Sequence, residues 1–206
     1  MLEKQQPDLV VDAAILKETL RRGFPWHTPD VPHLEVTTPD AWWSRLYASA
    51  LVPTCQALGL SFEAAQLIMP SVRDKYLAPA GWVVFPDSVG VLGELAEQGW
   101  IHTIVSNHVP ELEGLVNALG LSPFIERVIT SATVGYEKPH PKMFEAAIQA
   151  AGPCEAVWMI GDHYEVDVLG AQAAGLPAIL VRHEHPDAAW CSLGLADVIN
   201  IVKGDA

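Results

Sequence analysis

Hydrophobic and polar residues follow two different patterns on either side of residue 79. Before that point, apolar residues recur at helical spacing, which predicts helices over residues 9–22, 39–58 and 61–76. A Thr/Asp start signal opens the second of these helices in the stretch "TTPDAWWSRLYASAL". The first 78 residues are therefore predicted to form a helical region.

From residue 79 onward, short apolar runs alternate with helical segments, several of which end at glycine. The apolar runs are rich in β-branched residues and predict strands over residues 101–107, 127–130, 156–162, 178–182 and 196–201. Strict alternation of strand and helix is typical of an α/β fold with a doubly wound, Rossmann-like parallel sheet. Such sheets bind ligands at the carboxyl ends of their strands.

Composition and charge exclude several classes of partner. The chain has 206 residues, half of them apolar, which is enough to bury a core. Its net charge of −13 argues against nucleic acid and against an anionic membrane surface, because both repel an acidic protein. Three widely spaced cysteines and an N-terminus without an apolar signal segment predict a cytoplasmic protein with reduced thiols.

Polar residues follow three of the predicted strands. Ser106 and Asn107 end the first, Lys138 lies in the loop after the second, and Asp162 follows the third, five residues before Asp167. A hydroxyl with adjacent N–H groups can cradle phosphoryl oxygens, and a lysine neutralises their charge. A carboxylate supplies the hard oxygen that Mg²⁺ prefers. Together these groups indicate phosphoryl-transfer chemistry.

Each of these residues also has an ordinary structural explanation. Ser-Asn after a strand is usual in turns, a lysine before proline is usually solvated, and Asp167 suits a helix N-terminus. Asp162 is harder to explain in this way, because an apolar strand rarely ends in an unused acid. The shared placement of all these groups at strand ends favours a common function.

Three segments resemble conserved motifs of the haloacid dehalogenase superfamily of hydrolases. "TIVSN", "GYEKPHPKMF" and "MIGDHYEVDVLGAQAAG" are similar to its second, third and fourth motifs, within residues 79–206. The resemblance implies that Ser106 binds the phosphoryl group with help from the Asn107 backbone. It also implies that Lys138 steadies the nucleophile and the phosphate.

The fourth motif implies a metal site and a subclass. By resemblance, Asp162 is a ligand of Mg²⁺, and Asp167 supports the metal site without being a direct ligand of the ion. The Ser-Asn pair also suits the dehalogenases of the superfamily, but those replace the metal-binding carboxylate with small polar residues. The resemblance therefore implies a Mg²⁺-dependent phosphatase acting on a small phosphorylated metabolite, with residues 1–78 as a helical cap and residues 79–206 as the core.

The nucleophile of the superfamily has no clear counterpart. Its first motif is a strand ending in Asp-x-Asp-x-Thr, and no Asp-x-Asp occurs in residues 1–100. Asp12 in "LVVDAA" could occupy the nucleophile position, but Ala14 would then replace the acid/base, and a helix N-cap is the favoured role for Asp12. The 206-residue chain is therefore expected to be inactive by itself. The alternative is a non-catalytic relative that binds a ligand or a partner.

The resemblance also predicts a break in the sheet. In the superfamily the first-motif strand lies between the strands that correspond to residues 101–106 and 156–160. We therefore expect these two strands not to pair directly, with residues 8–12 entering the gap or the two edges remaining open.

Other candidates for chemistry are weaker. His183 and His185 have no third ligand nearby and are more typical of a surface loop than of a metal site. Trp42 and Trp43 are most simply core residues of the predicted helix.

Overall fold

A computed structural model describes residues 14, 18–19, 24, 27–36 and 38–204 of the chain. Most of the predicted first helix lies outside these residues, although Ala14, Glu18 and Thr19 are helical. Residues 8–12, which include the candidate nucleophile Asp12, also lie outside the described part.

The next two predicted helices are confirmed. The first comprises α1 (Pro39–Leu46), a π-helical segment (Tyr47–Leu51) and α2 (Val52–Ala57). The second is α3 (Phe62–Leu77). Each begins at a side-chain cap: the Thr38 hydroxyl accepts from the Ala41 amide at 3.2 Å, and the Ser61 hydroxyl accepts from the Ala64 amide at 3.2 Å.

Trp42 and Trp43 are core residues, as predicted, each only 2% exposed. They pack in a cluster with Leu46, Ala50, Val109 and Ala132. Since Val109 and Ala132 follow the first and second predicted strands, this cluster joins the N-terminal helices to the α/β region.

The remaining elements largely alternate between helix and strand, as the sequence predicted. In chain order they are α4 (Ser88–Glu97), β1 (His102–Ser106), α5 (Leu112–Ala118), β2 (Ile125–Thr130), α6 (Ser131–Val134), α7 (Pro141–Ala151), β3 (Met159–Gly161), a π-helical segment (Tyr164–Leu169), α8 (Gly170–Ala173), β4 (Ala178–Val181), β5 (Cys191–Ser192) and α9 (Val198–Lys203). All strand pairs among the described residues are parallel, and the fold is α/β.

One predicted strand is wrong: residues 196–201 do not form a strand, and α9 begins at Val198. The β-branched residues of this segment suggest a strand, but Val198, Ile199 and Ile201 recur at helical spacing and pack against Val91 and Leu95 of α4. Packing of this face overrides the local strand preference.

The described strands form two sheets rather than one. β1 pairs with β2 in the first sheet, and the second has the order β3-β4-β5. Within the described residues β1 and β3 do not pair with each other, which is the separation expected from the resemblance. Both strands are only partly buried along their whole length, because a described partner strand covers only one side of each.

The second sheet is covered by helices on both faces. On β4, Ile179 and Val181 pack in the cluster that contains α4 and α9. Ala178 and Leu180 point to the opposite face and pack in the cluster that contains α7 and α8. All four residues of β4 are buried, as expected for a central strand of a doubly wound sheet.

The linker from α3 back into the α/β region is anchored by an ion pair. The Asp87 carboxylate accepts from Arg182 Nη1 at 2.9 Å and Nη2 at 2.5 Å, and from the Leu195 amide at 2.9 Å. The Arg182 guanidinium holds the pKa of Asp87 at about 2. This contact ties the start of α4 to the carboxyl end of β4.

None of the helices in the described residues has the length and apolarity needed to cross a membrane.

Candidate active site

The predicted polar residues lie at the carboxyl ends of the strands. Ser106 is the last residue of β1 and pairs in register with Thr130, the last residue of β2. After β2 the chain forms one turn of helix and reverses at Gly135, which has a φ of 82°, before reaching Lys138. Asp162 directly follows β3. Both sheets therefore carry predicted polar residues at the carboxyl ends of their strands.

The Lys138 ammonium group joins the two sheets. Its Nζ donates to Asp167 Oδ1 at 2.7 Å and to the Val105 carbonyl at 2.8 Å. The Lys138 and Asp167 side chains are only 10% and 5% exposed. Since Val105 precedes Ser106, the buried cation lies beside the strand end that carries the hydroxyl. This is the position from which it can neutralise a bound anion.

Asn107 holds the loop that carries Lys138. Its Nδ2 donates to the Lys138 carbonyl at 2.9 Å, and its Oδ1 accepts from the Lys138 amide at 2.6 Å. The Asn107 side chain is therefore already occupied by backbone groups. These bonds use one of the two Nδ2 hydrogens, and the resemblance assigns the phosphoryl contact to the Asn107 backbone.

Asp162 and Asp167 have different environments. Asp167 is buried, and its second oxygen accepts from the His163 amide at 3.0 Å, so both carboxylate oxygens have partners. A side chain on Gly161 would collide with the Asp167 carboxylate, which explains the glycine at this turn. Asp162, in contrast, is exposed.

The carboxylates of Asp162 and Asp167 are the type of ligand that Mg²⁺ prefers, but they are too few to complete its coordination. Asp162 offers an open oxygen ligand, whereas Asp167 is already bonded to Lys138 and His163. Across the described residues, no group of three or more His, Cys, Asp and Glu converges to hold a metal. His185 instead stacks on Tyr164, with ring centroids 3.6 Å apart.

A buried acid next to Lys138 was not predicted from the sequence. Glu137 is fully buried, and burial raises its pKa to about 7. His33 Nε2 lies 3.6 Å from Glu137 Oε1, and burial lowers the pKa of His33. The only sequence signal was an acid directly before the lysine in "GYEKP", in a loop where charged residues are usually solvated.

Two further residues near the site were missed, His108 and Glu111. Both follow Ser106 on the loop after β1, and both contact α3 through side chains. The alternation of strands and helices in the sequence predicts the end of a strand just before these residues. It does not indicate their partners on α3, which are more than 30 residues away in the chain.

The chain is similar to known hydrolases in sequence and structure. Residues 30–175 match the haloacid dehalogenase-like hydrolase family. The chain is 27% identical over 186 residues to mouse haloacid dehalogenase-like hydrolase domain-containing protein 3, covering 86% of this chain and 71% of the relative. It is 33% identical over 175 residues to phosphoserine phosphatase from Thermus thermophilus, covering 79% of this chain and 66% of that enzyme.

A solved structure has the same fold. The HAD-hydrolase YfnB from Bacillus subtilis, bound to magnesium, aligns with a TM-score of 0.69 at 18% identity, covering 98% of this chain and 87% of that one. The family match spans the second, third and fourth motifs, whose side chains meet across the two sheets around Lys138. The chain therefore belongs to the haloacid dehalogenase-like hydrolase family.

Proposed function

We propose that this chain carries the phosphoryl-binding and metal-binding part of a phosphatase site for a small phosphorylated metabolite. The observation that supports this most directly is the buried Lys138 ammonium, held between Asp167 and the strand end that carries Ser106. The similarity to a phosphoserine phosphatase supports the same reaction class.

Each residue has a distinct role in the proposed site. The Ser106 hydroxyl and the Asn107 backbone N–H bind phosphoryl oxygens. Lys138 offsets their negative charge from a buried position, where electrostatic interactions are strong. Asp167 keeps the ammonium in place and fixes the turn after β3 through the His163 amide. In this proposal residues 1–78 act as a cap over the site.

Mg²⁺ is the proposed cofactor, with Asp162 as its direct ligand and Asp167 supporting the site without contacting the ion. When bound, the ion would stabilise negative charge on phosphoryl oxygens. Because Asp162 is the one open carboxylate among the proposed ligands, we expect millimolar or weaker affinity in this chain. Isothermal titration calorimetry with MgCl₂ tests this. Micromolar binding that survives Asp162→Asn would place the metal elsewhere.

The chemical step requires a nucleophile that accepts the phosphoryl group. With no Asp-x-Asp in residues 1–100, we propose that the 206-residue chain does not form an aspartyl-phosphate. It should therefore hydrolyse p-nitrophenyl phosphate no faster than a buffer control, with or without Mg²⁺. Robust turnover that disappears in Asp12→Asn would show that Asp12 is the nucleophile.

The missing nucleophile motif also favours a second candidate function. A non-catalytic family member would use the same strand ends to bind a phosphorylated ligand without hydrolysing it. Saturable binding of inorganic phosphate, lost in Lys138→Met, combined with no turnover, is the result expected for that binding role. Turnover by the 206-residue chain would exclude it.

A further inference from the structure

The loop after β1, residues 107–111, is held on one side by the segment that follows β2. Asn107 and the Lys138 backbone exchange two hydrogen bonds, of 2.9 and 2.6 Å. The His108 amide donates to the Ser131 hydroxyl at 3.1 Å, and Ser131 is fully buried. These bonds fix the loop relative to Lys138.

On its other side the loop is held by the N-terminal helices through Glu111. Its carboxylate accepts from Arg73 Nε at 3.1 Å and Nη2 at 2.6 Å. It also accepts from Trp43 Nε1, at 3.0 and 3.2 Å to the two oxygens. Arg73 is itself held by Asp40 at 2.7 Å. A planar guanidinium bound in this way fixes direction as well as distance.

His108 makes a second contact with the same face of α3. Its Nε2 lies 3.4 Å from the Tyr76 hydroxyl, and the two ring centroids are 5.5 Å apart. Tyr76 follows Arg73 by three residues, so both side chains lie on one side of the helix. His108 and Glu111 are also three residues apart. Between them, Val109 is completely buried against Trp42 and Trp43.

We propose that Glu111 is a positioning residue that couples the placement of α3 to anion binding at Ser106 and Asn107. This inference rests on the proposed phosphoryl-binding function. The loop carries the N–H group that is to contact the phosphoryl oxygens, and it is short and held at both ends. A change at Glu111 therefore shifts those groups, and small displacements of binding groups have large effects on affinity.

Simple electrostatics predicts the opposite effect for the same substitution. Glu111→Gln removes a negative charge near a site for anions, so without positioning it would strengthen phosphate binding. If Glu111 positions the loop, Glu111→Gln weakens phosphate binding at least fivefold. Glu35→Gln is the matched control, since it removes the same charge from the exposed Arg45–Glu35 pair, which has an N–O distance of 3.1 Å.

The test measures two quantities on the full chain: the Kd for inorganic phosphate, and amide hydrogen exchange at His108 and Lys138 relative to buried Ile179. We expect Glu111→Gln to raise the Kd at least fivefold and to speed exchange at both amides at least tenfold. Glu35→Gln should leave both quantities within twofold of wild type. Unchanged exchange at His108 and Lys138, or tighter phosphate binding in Glu111→Gln, would overturn the inference.

The outcomes separate this inference from the proposed function. If wild-type chain shows no saturable phosphate binding, the proposed function fails, and the exchange rates alone decide whether Glu111 positions the loop. Arg73→Lys provides a second variant in case Glu111→Gln does not fold. It keeps the charge but loses the two-nitrogen contact with Glu111, so it should speed exchange at His108 in the same way.

Discussion

The two sheets of the α/β region differ in how they are built and in what they contribute to the site. The sheet β3-β4-β5 has a fully buried central strand with helices on both faces, and it carries Asp162 and Asp167. The sheet β1-β2 is only partly buried along β1, and it carries Ser106 and Asn107. Its loop after β1 is attached to the N-terminal helices through Glu111.

Side chains connect the two sheets, while β1 and β3 share no backbone ladder among the described residues. One connection is the cluster around Met143 and Phe144 of α7, which packs against Val105 of one sheet and Leu180 of the other. The second is the Lys138 ammonium, bonded to Val105 and Asp167. The candidate site therefore lies where the two sheets meet, and its charged groups also hold the two sheets together.

The largest expected effect comes from breaking this polar connection. Lys138→Met leaves the buried Asp167 carboxylate without its counter-ion, which should reduce the free energy of unfolding by about 3–5 kcal/mol. The control is Lys142→Met, which breaks the exposed Lys142–Glu145 pair at 2.6 Å and should cost less than about 1 kcal/mol. Urea denaturation of both variants measures the difference. Equal losses would mean that Lys138 does not connect the two sheets.

Glu137 gives a pH-dependent test of the same segment. Its pKa rises from 4.5 to about 7 on burial, so the folded state holds a proton that the unfolded chain releases between these values. Stability from this group is present at low pH and is lost as pH rises toward 7, by at most about 3 kcal/mol. Glu137→Gln, which resembles the protonated form, should come within about 1 kcal/mol of wild type at pH 5 and exceed its stability more clearly at pH 8.

Urea denaturation of wild type and Glu137→Gln from pH 5 to pH 8 checks this. Burial lowers the pKa of His33, so this residue has the opposite pH dependence: it reduces the stability of the folded state as pH falls below 6.5. The Arg45 and Lys138 side chains also act electrostatically on Glu137. Because His33 lies 3.6 Å from Glu137, the difference between the two curves reports the titration of Glu137 together with its effect on His33. A constant difference across the range would contradict a raised pKa.

The smallest expected effect concerns the turn after β3. Gly161→Ala places a methyl group against the Asp167 carboxylate and should reduce the free energy of unfolding by about 1–3 kcal/mol. Gly114→Ala is the control, because it lies in α5 with open space around it and should be stabilising by up to about 1 kcal/mol. Thermal melts of both variants should shift in opposite directions. A neutral Gly161→Ala would show that the turn can move away from Asp167.

The fold class, and the placement of polar residues at the ends of strands, could be predicted because they depend on local patterns. Short apolar runs rich in β-branched residues and helical spacing identify most elements, and parallel topology brings strand ends together, which is why Lys138 and Asp167 meet. The segment 196–201 was assigned wrongly because its β-branched residues serve a helix that packs against α4. Local propensity cannot reveal this tertiary packing.

The residues missed around the site have contacts that are distant in sequence. Glu111 meets Arg73 and Trp43, and His33 approaches Glu137 from a loop more than 100 residues earlier. No periodicity connects such positions. Burial of Glu137 was also unexpected, because an acid in a loop is usually exposed.

The most direct test of the site formed across the two sheets is a phosphate titration followed by NMR. In ¹⁵N-labelled 206-residue chain with Mg²⁺, inorganic phosphate should shift the amide signals of Ser106 and Asn107 on one sheet, and of Gly161 and Asp162 on the other, with one common Kd. The same titration on Lys138→Met should show no saturable shift. Shifts confined to one sheet, or equal binding by Lys138→Met, would contradict a single phosphoryl site at this junction.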